Sequence, residues 1–261
     1  MERSLFSRDA ETIRGVSFDL GGTLIAPTPS VGGIYAMVCA AHGVDVDPGR
    51  CDRAFEVAWS RRSAAAQPGT GRFSATEDGE DGWWRRVILE VLQECGIPAS
   101  MSPPLEAFRD AFASPRAWRV FEDVEETLAA LKSAGYGLAI VSNWDSRMPR
   151  LLGTLGLAGY FDAVLCSAEA GVEKPDPRIF EMAAEALGLP AEQILHVGDL
   201  AREDYHGARG AGMKALIVNR DGNGARGPED VDSAHVVRSI GEVRGRLLGD
   251  RDGRASGSGK I

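Results

Sequence analysis

The spacing of apolar residues divides the chain into two regions that meet near Phe121. Beyond Phe121, short runs of β-branched and other apolar residues alternate with amphipathic stretches, a pattern typical of a parallel sheet built from βαβ units. One more strand of this type is predicted near the start of the chain. The pattern therefore predicts an α/β fold. The predicted strands are residues 15–18, 137–141, 163–166, 194–197, 215–218 and 234–237.

Polar residues and glycines mark the helix boundaries of this second region. Asp123 and Glu126 have the spacing of a capping box, which predicts a helix over residues 123–134. Further along, Asp176 is the predicted N-cap of a helix that ends at Gly188. Both helices carry an apolar stripe, as amphipathic helices do.

A long stretch with helical periodicity separates the first predicted strand from the others. We interpret residues 28–119 as an inserted helical domain, and residues 1–27 and 120–249 as the core. Within the insert, the polar, glycine-rich residues 66–82 are predicted to be a mobile loop. Residues 250–261 are predicted to be a disordered tail. The positions that carry the helical period are Val31, Ile34, Tyr35 and Val38, and then Val87, Ile88, Val91, Leu92 and Cys95.

Charge and composition narrow the classes of partner. The chain of 261 residues has 38 acidic and 29 basic side chains, a formal net charge of -9, and such a surface repels a phosphate backbone. No apolar run approaches the roughly 20 residues of a membrane span, and the first residues lack an apolar stretch of signal-peptide length. We therefore expect a cytoplasmic protein with no nucleic-acid or membrane partner. The sequence does not predict an oligomeric state.

The four cysteines are not arranged as a disulfide framework or a metal site. Cys39, Cys51, Cys95 and Cys166 are far apart along the chain and contain no C-x-x-C pair. They are expected to be buried, inert thiols.

The candidate catalytic and ligand-binding residues follow the predicted strands. Asp19 comes directly after the first strand, Ser142 closes the strand over 137–141, and Asp199 follows the strand over 194–197. Ligands of open α/β sheets bind at the carboxyl ends of the strands, so these side chains should converge on one crevice. Asp204 and the loop residue Lys174 can reach the same place.

Three carboxylates in one crevice require a cation between them. Asp19, Asp199 and Asp204 repel one another when ionised, and Mg²⁺ with oxygen ligands resolves that conflict while leaving positions for a phosphate. Asp19 would be both ligand and nucleophile, and would form an aspartyl-phosphate. Ser142, Lys174 and the backbone amides of the turn from Asp19 to Thr23 would neutralise the transferred group. Asp204 is either a direct ligand or a supporting residue that caps a helix.

Four motifs in order resemble the haloacid dehalogenase (HAD) superfamily of phosphohydrolases. They are D-L-G-G-T around Asp19, I-V-S-N ending at Asn143, E-K-P-D around Lys174, and V-G-D-x4-D from Gly198 to Asp204, and the resemblance covers residues 14–240. It implies a Rossmann-like, doubly wound parallel sheet core with an inserted α-helical cap of the C1 type. It also implies Mg²⁺ as cofactor. The implied metal ligands are Asp19, the carbonyl of Gly21, Asp199 and Asp204, and the implied phosphate-binding residues are Gly22, Thr23, Ser142, Asn143 and Lys174.

Within the superfamily, the chain resembles the subfamily of haloacid dehalogenase-like hydrolase domain-containing protein 3. The shared features are the glycine after Asp19-Leu20, the pair Trp83-Trp84, and the run S-A-E-A-G-V-E-K-P-D-P-R-I-F. The two tryptophans are expected to belong to the core of the insert, with at least one of them buried.

One position departs from the pattern of the superfamily. Most of its phosphatases have a second aspartate two residues after the nucleophile, as general acid and base, and here that residue is Gly21. General acid/base catalysis is worth about 10²–10⁴-fold, so alkyl phosphates should react slowly and acyl or aryl phosphates should suffer less. Glu77 or Glu80, in the predicted loop over 66–82, is a hypothetical replacement acid.

The sequence supports one leading function and two alternatives. The leading hypothesis is a Mg²⁺-dependent phosphohydrolase that acts on a small phosphorylated metabolite through Asp19. The first alternative is a pseudoenzyme, a regulatory module that binds phosphate without turnover, because Gly21 removes the proton donor and leaves the binding groups. The second is a 2-haloacid dehalogenase, which is less favoured because the metal motif is retained and no halide site is recognisable.

Overall fold

The computed structural model describes residues 12–64, 71–75, 79–220 and 231–249. Within these ranges, six parallel strands form one sheet and two antiparallel strands form a short ribbon. The strands are β1 (Gly15–Phe18), β2 (Ile25–Pro27), β3 (Trp118–Val120), β4 (Gly137–Ser142), β5 (Ala163–Cys166), β6 (Ile194–Gly198), β7 (Lys214–Val218) and β8 (Val236–Val237). The order in the sheet is β5, β4, β1, β6, β7, β8, so β1 lies between β4 and β6.

Helices connect the strands. They are α1 (Val31–Ala41), α2 (Pro48–Ala64), α3 (Gly79–Glu94), α4 (Leu105–Ala113), α5 (Val124–Ser133), α6 (Met148–Thr154), α7 (Ser167–Ala170), α8 (Pro177–Leu187), α9 (Gly207–Gly210) and α10 (Ile240–Leu248), with a π-helix at Ala201–His206. No helix in the described ranges is long and apolar enough to cross a membrane. The predicted helix ends at Asp176 and Gly188 are confirmed, because Asp176 accepts a hydrogen bond from Arg178 N and Gly188 adopts a left-handed conformation.

Both faces of the sheet are covered, as a doubly wound α/β fold requires. Leu138 and Ile140 of β4 pack on one side with Leu128 of α5. The adjacent Val141 points to the other side and packs with Phe180 of α8. This alternation confirms the predicted Rossmann-like parallel sheet.

Two chain crossings connect the sheet with a group of helices. β2 and β3 pair antiparallel, with Ile25 opposite Val120, and α1 to α4 lie between them in the chain. We call these four helices, together with the 3₁₀ helix Arg72–Ala75 between α2 and α3, the helical insert. Their apolar side chains form a separate hydrophobic cluster around Tyr35, Trp83 and Phe108.

The predicted capping box at the start of α5 is wrong. Asp123 makes no side-chain cap to its own helix. Its carboxylate instead accepts hydrogen bonds from Arg220 Nη1 at 2.9 Å and from Gly241 N at 3.1 Å. Partners more than ninety positions away along the chain therefore displaced the local interaction that the spacing predicted.

Two further boundaries differ from the prediction. The strand over 234–237 shrinks to β8, because Ser233–His235 forms a 3₁₀ turn that the Asp232 side chain caps at Ala234 N. The loop over 66–82 contains structure at both of its described parts, a 3₁₀ helix at Arg72–Ala75 and the start of α3. The rest of that loop and the predicted tail at 250–261 lie outside the described residues.

The four cysteines are buried and carry free thiols, as expected. The fold nevertheless brings two of them together. Cys51 Sγ of α2 and Cys95 Sγ, next to the end of α3, are 3.1 Å apart within the hydrophobic cluster of the insert.

Two leucines on helices test the assignment of the core. Leu128 is 0% exposed under the sheet and Leu89 on α3 is 41% exposed. We expect Leu128→Ala to lower the free energy of unfolding by about 2–5 kcal/mol, because it leaves a cavity. Leu89→Ala should change it by less than about 1 kcal/mol. Urea denaturation of both variants makes the comparison, and equal losses would contradict this core.

Candidate active site

Three neighbouring strands bring the polar residues together. Asp19 follows β1, Ser142 is the last residue of β4, and Asp199 follows β6. Since β1 is the common neighbour of β4 and β6, all three side chains lie at one edge of the sheet. The structure thus brings together the residues that the sequence places at strand ends.

The ammonium group of Lys174 joins two of the acidic side chains. Lys174 Nζ donates to Asp19 Oδ1 at 2.6 Å and to Asp204 Oδ1 at 2.5 Å. Asp19 Oδ1 also accepts a hydrogen bond from Ser142 Oγ at 2.9 Å. All four side chains are buried, and the charge-assisted bonds fix the direction of the Asp19 carboxylate.

Asp204 lies on the π-helix, and protein donors contact both of its oxygens. Leu200 N donates to Oδ2 at 2.9 Å, and His196 Nε2 lies 3.3 Å from Oδ1. His196 is fully buried, and its other ring nitrogen is 2.9 Å from Ser17 Oγ. His196 is therefore a structural imidazole with partners at both ring nitrogens. The contacts of Asp204 favour a positioning role for its carboxylate.

Three carboxylates share this small volume with one ammonium group. Carboxylate oxygens of Asp19, Asp199 and Asp204 lie within 4.8 Å of one another. Burial raises the pKa of Asp19, and Lys174 opposes this effect while the negative charge of Asp204 adds to it. Burial would also raise the pKa of Asp204, but the nearby Lys174 holds it well below its usual range. The excess of negative charge and the oxygen donors fit a divalent cation such as Mg²⁺.

Lys174 remains charged although it is buried. Burial by itself lowers the pKa of a lysine, but the carboxylates of Asp19 and Asp204 raise the pKa of Lys174 above its usual value. The Asn143 side chain orients the same residue, because it accepts from Lys174 N at 2.8 Å and donates to Lys174 O at 2.9 Å. Both ends of the Asn143 amide group are thus engaged in holding the Lys174 loop.

Other side chains lie close to both glycines of the turn after Asp19, and the contact at Gly22 requires glycine. Gly22 has a φ of +79°, and a Cβ atom there would lie 2.3 Å from Asp199 Oδ2. At Gly21, a Cβ atom would lie 3.1 Å from Trp144 Cζ3. The Trp144 ring therefore lies against the position from which a side chain at residue 21 would extend. Thr23 is buried, and its hydroxyl has no hydrogen-bond partner among the described residues.

A cavity of about 890 Å³ opens at the carboxylates and continues between the sheet edge and the helical insert. Its polar end contains Asp19, Ser142, Lys174 and Asp199. Its other side is aromatic, with rings contributed mainly by the insert. The aromatic lining residues are Tyr35, Phe55, Trp59, Trp84, Phe108, Phe112, Trp118 and Trp144.

The loop after β4 attaches the insert to the sheet edge. Asp145 accepts a hydrogen bond from Trp84 Nε1 at 2.8 Å, while Arg147 contacts the same carboxylate. Glu80 accepts from Ser146 N at 3.1 Å and from Ser146 Oγ at 2.8 Å. Glu80 is therefore engaged in this contact and is not among the cavity-lining residues, which removes support for it as a replacement acid. Glu77 lies outside the described residues.

Sequence reasoning missed the functional position of this loop. Trp144 and Asp145 directly follow the strand-end residues Ser142 and Asn143, and that adjacency was the available signal. The sequence predicts that Trp83 and Trp84 belong to the core of the insert with one of them buried, and the burial is confirmed for Trp83. Trp83 is buried, whereas Trp84 lines the cavity and bonds to Asp145.

The match to known families agrees with this geometry. Residues 13–212 match the family model described as haloacid dehalogenase-like hydrolase. The chain belongs to this family. The matched residues span most of the chain. The match confirms the resemblance inferred from the four motifs.

Individual relatives of this haloacid dehalogenase-like hydrolase carry related names. It is 31% identical over 242 residues to "Haloacid dehalogenase-like hydrolase domain-containing protein 3" of Danio rerio, covering 92% of this chain and 98% of the relative. It is 36% identical over 200 residues to "Phosphoserine phosphatase" of Thermus thermophilus, covering 76% and 74%. The magnesium-bound HAD-hydrolase YfnB of Bacillus subtilis superposes with a TM-score of 0.71 at 18% identity, covering 90% and 99%, which shows a shared fold.

Two glycines with similar backbone angles test the close contact at Gly22. Gly43 has a φ of +75°, and a Cβ atom added there would meet no atom within 4 Å, so Gly43→Ala should cost only the backbone strain of about 1 kcal/mol. Gly22→Ala adds a collision with the Asp199 carboxylate, and should cost about 3 kcal/mol or more. Chemical denaturation of this haloacid dehalogenase-like hydrolase measures both, and equal costs would refute the steric explanation.

Proposed function

We propose that this chain is a Mg²⁺-dependent phosphohydrolase that acts on a small phosphorylated metabolite. The observation that carries the proposal is the buried arrangement of Asp19, Lys174 and Asp204 beside Asp199, at the polar end of a cavity large enough for an organic substrate. A nucleophilic carboxylate, a fixed cation and a set of oxygen donors are the groups that phosphoryl transfer needs. The phosphatase name of one relative agrees with this choice.

The proposed domain organisation is a core of residues 1–27 and 120–249 with a cap of residues 28–119. Two observations support it, the pairing of β2 with β3 where the chain crosses, and the separate hydrophobic cluster of the insert. The cavity between the two parts would hold the substrate, so the cap would supply the contacts that select it.

The residues proposed to hold Mg²⁺ are Asp19, Asp199 and the carbonyl of Gly21. Asp204 completes this set, as a ligand or by positioning Lys174. When bound, the ion would neutralise charge on the phosphoryl oxygens.

In the proposed reaction, a carboxylate oxygen of Asp19 attacks phosphorus, and the bond from phosphorus to the leaving oxygen breaks. Lys174, Ser142 and the backbone amide of Thr23 stabilise the transferred group. The Gly22 amide, which the sequence also assigned to phosphate, donates instead to Ile25 O at 2.8 Å. Water then attacks phosphorus of the aspartyl-phosphate, releasing inorganic phosphate and restoring Asp19. Asn143 contributes by fixing the backbone of Lys174.

Gly21 determines which substrates react well. No carboxylate extends from this position, and Trp144 occupies the adjoining space. Acyl and aryl oxygens can leave without a proton. The missing acid therefore slows their departure less than it slows the departure of an alkyl oxygen. The same observation favours a second candidate function, a phosphate-binding module without turnover. Carbon–halogen hydrolysis is the weakest candidate, because it does not require a cluster of metal-binding carboxylates.

Phosphate release tests the proposed nucleophile. We expect Asp19→Asn to reduce turnover of acetyl phosphate and 4-nitrophenyl phosphate by about 10³-fold or more, because the attacking carboxylate is gone. EDTA should abolish the activity of the parent. Asp162→Asn is the matched control, since Asp162 is an exposed carboxylate that contacts Lys132 and does not line the cavity.

Three outcomes, one of them from a separate chloride assay, would contradict the proposed function or its nucleophile. Full activity of Asp19→Asn would exclude Asp19 as nucleophile. No turnover by the parent, combined with a higher Tm in Mg²⁺ and phosphate, would identify the binding module. Chloride release from 2-chloropropionate in EDTA would support the dehalogenase.

The space beside Gly21 can be tested by restoring an acid. We expect Gly21→Asp alone to give little gain on glycerol phosphate, because its Cβ atom would press against Trp144. Gly21→Asp combined with Trp144→Ala should raise phosphate release by about 10²-fold, the lower end of the contribution of a general acid. Trp144→Ala alone is the control. Equal rates for Gly21→Asp and for Gly21→Asp/Trp144→Ala would show that Trp144 does not restrict this position.

A further inference from the structure

The helical insert places one buried cation at the cavity. Arg72, in the 3₁₀ helix Arg72–Ala75, is 3% exposed and lines the cavity together with Trp59 of α2. Its guanidinium carbon lies 4.6 Å from the centre of the Trp59 ring and 5.6 Å from that of Trp83. The planes of these two rings are perpendicular, so Arg72 makes cation–π contacts in two directions, and these contacts restrict its guanidinium group before any ligand arrives.

Arg72 is also tied to the proposed catalytic loop. Glu173 Oε2 accepts from Arg72 Nε at 2.6 Å and from Arg72 N at 3.1 Å. Glu173 precedes Lys174, whose ammonium group contacts Asp19. Arg72 is therefore anchored to the residue that precedes Lys174, and it lines the same cavity.

The ion pair leaves donors of Arg72 unused. A guanidinium group offers five N–H donors and matches a carboxylate best with two parallel hydrogen bonds. Glu173 takes only the Nε donor of the side chain, through a single oxygen. Arg72 Nη1 is buried and has no hydrogen-bond partner within the described part of the chain. An N–H group that has lost water without gaining an acceptor is costly, so the site is incomplete as it stands.

The surroundings of Arg72 indicate what would complete it. The wall next to it is aromatic, which suits a planar apolar ring. Glu173 already neutralises the single positive charge of Arg72, so every further negative charge is costly here, and a singly charged carboxylate fits better than a doubly charged phosphate. A carboxylate oxygen also forms a charge-assisted hydrogen bond with a guanidinium donor, which is stronger than a bond to a neutral acceptor.

We propose that Arg72 and Trp59 form a second subsite that binds a carboxylate on an aromatic phosphate substrate. This inference rests on the proposed function, since the phosphate group would lie at Lys174 while the ring packs against Trp59. It also agrees with Gly21, because an aryl oxygen leaves without the missing acid. Arg72 would then select the substrate through binding, and the strand-end residues would react with it.

Binding of matched phosphonates tests this subsite without requiring turnover. The ligands are benzylphosphonate and its 3-carboxy, 4-carboxy and 4-carbamoyl derivatives, titrated by calorimetry in Mg²⁺. We expect at least one carboxy isomer to bind the parent about tenfold tighter than benzylphosphonate, and the carbamoyl derivative to gain less. In Arg72→Gln the carboxy isomer and benzylphosphonate should bind with about equal affinity. Arg72→Lys should recover part of the preference for the carboxy isomer.

Controls separate the lost contact from a damaged fold. Arg61→Gln changes an arginine of the same insert that is 61% exposed and pairs with Glu90, so it should keep the preference of the parent for the carboxy isomer. Because Arg72→Gln leaves Glu173 without its cation, the double variant Arg72→Gln/Glu173→Gln provides a neutral pair at the same place. The double variant should also lose the preference for the carboxylate.

The outcomes distinguish this inference from the proposed function. Equal affinity of the parent for all four ligands, no binding of any of them, or a carboxylate preference that survives Arg72→Gln would overturn the subsite. Phosphate release from phenyl phosphate decides the proposed function separately. A carboxylate preference without any release would leave the subsite standing and exclude the phosphohydrolase.

Discussion

The site depends on one buried ammonium group that is shared between two carboxylates. Lys174 contacts Asp19 and Asp204, which come from opposite ends of the chain, and it reaches them from a loop that Asn143 holds. Without this cation, three acidic side chains would repel one another in a space with little water. The sheet order, the π-helix and the glycine turn all serve to bring these charges to the same place.

The second constraint is space, and it works together with charge. The turn after Asp19 contains two adjacent glycines because Asp199 lies against one of them and Trp144 against the other. The first contact allows the carboxylates to approach closely. The second places the Trp144 ring against the point from which a side chain at residue 21 would extend.

Much of the fold and of the strand-end cluster could be predicted from the sequence, and the reasons are local. Parallel strands have apolar runs, and residues such as Asp19 and Ser142 follow them directly, so topology alone brings these side chains to one edge. Asp123 shows where this reasoning fails, since distant donors replaced its local cap. Arg72 and Glu173 are 101 positions apart, and no hydrophobic period or sequence motif predicts their contact.

The contact between Trp84 and Asp145 has a consequence for the intrinsic fluorescence of Trp84. The indole ring packs within a cluster of tryptophans, with its centre 4.8 Å from that of Trp83 and 6.2 Å from that of Trp59, while its N–H group bonds to a carboxylate of the sheet edge. Any movement of the insert away from the sheet breaks that bond and changes the polarity around the ring. The molecule therefore carries an intrinsic fluorophore at the boundary where its two parts meet.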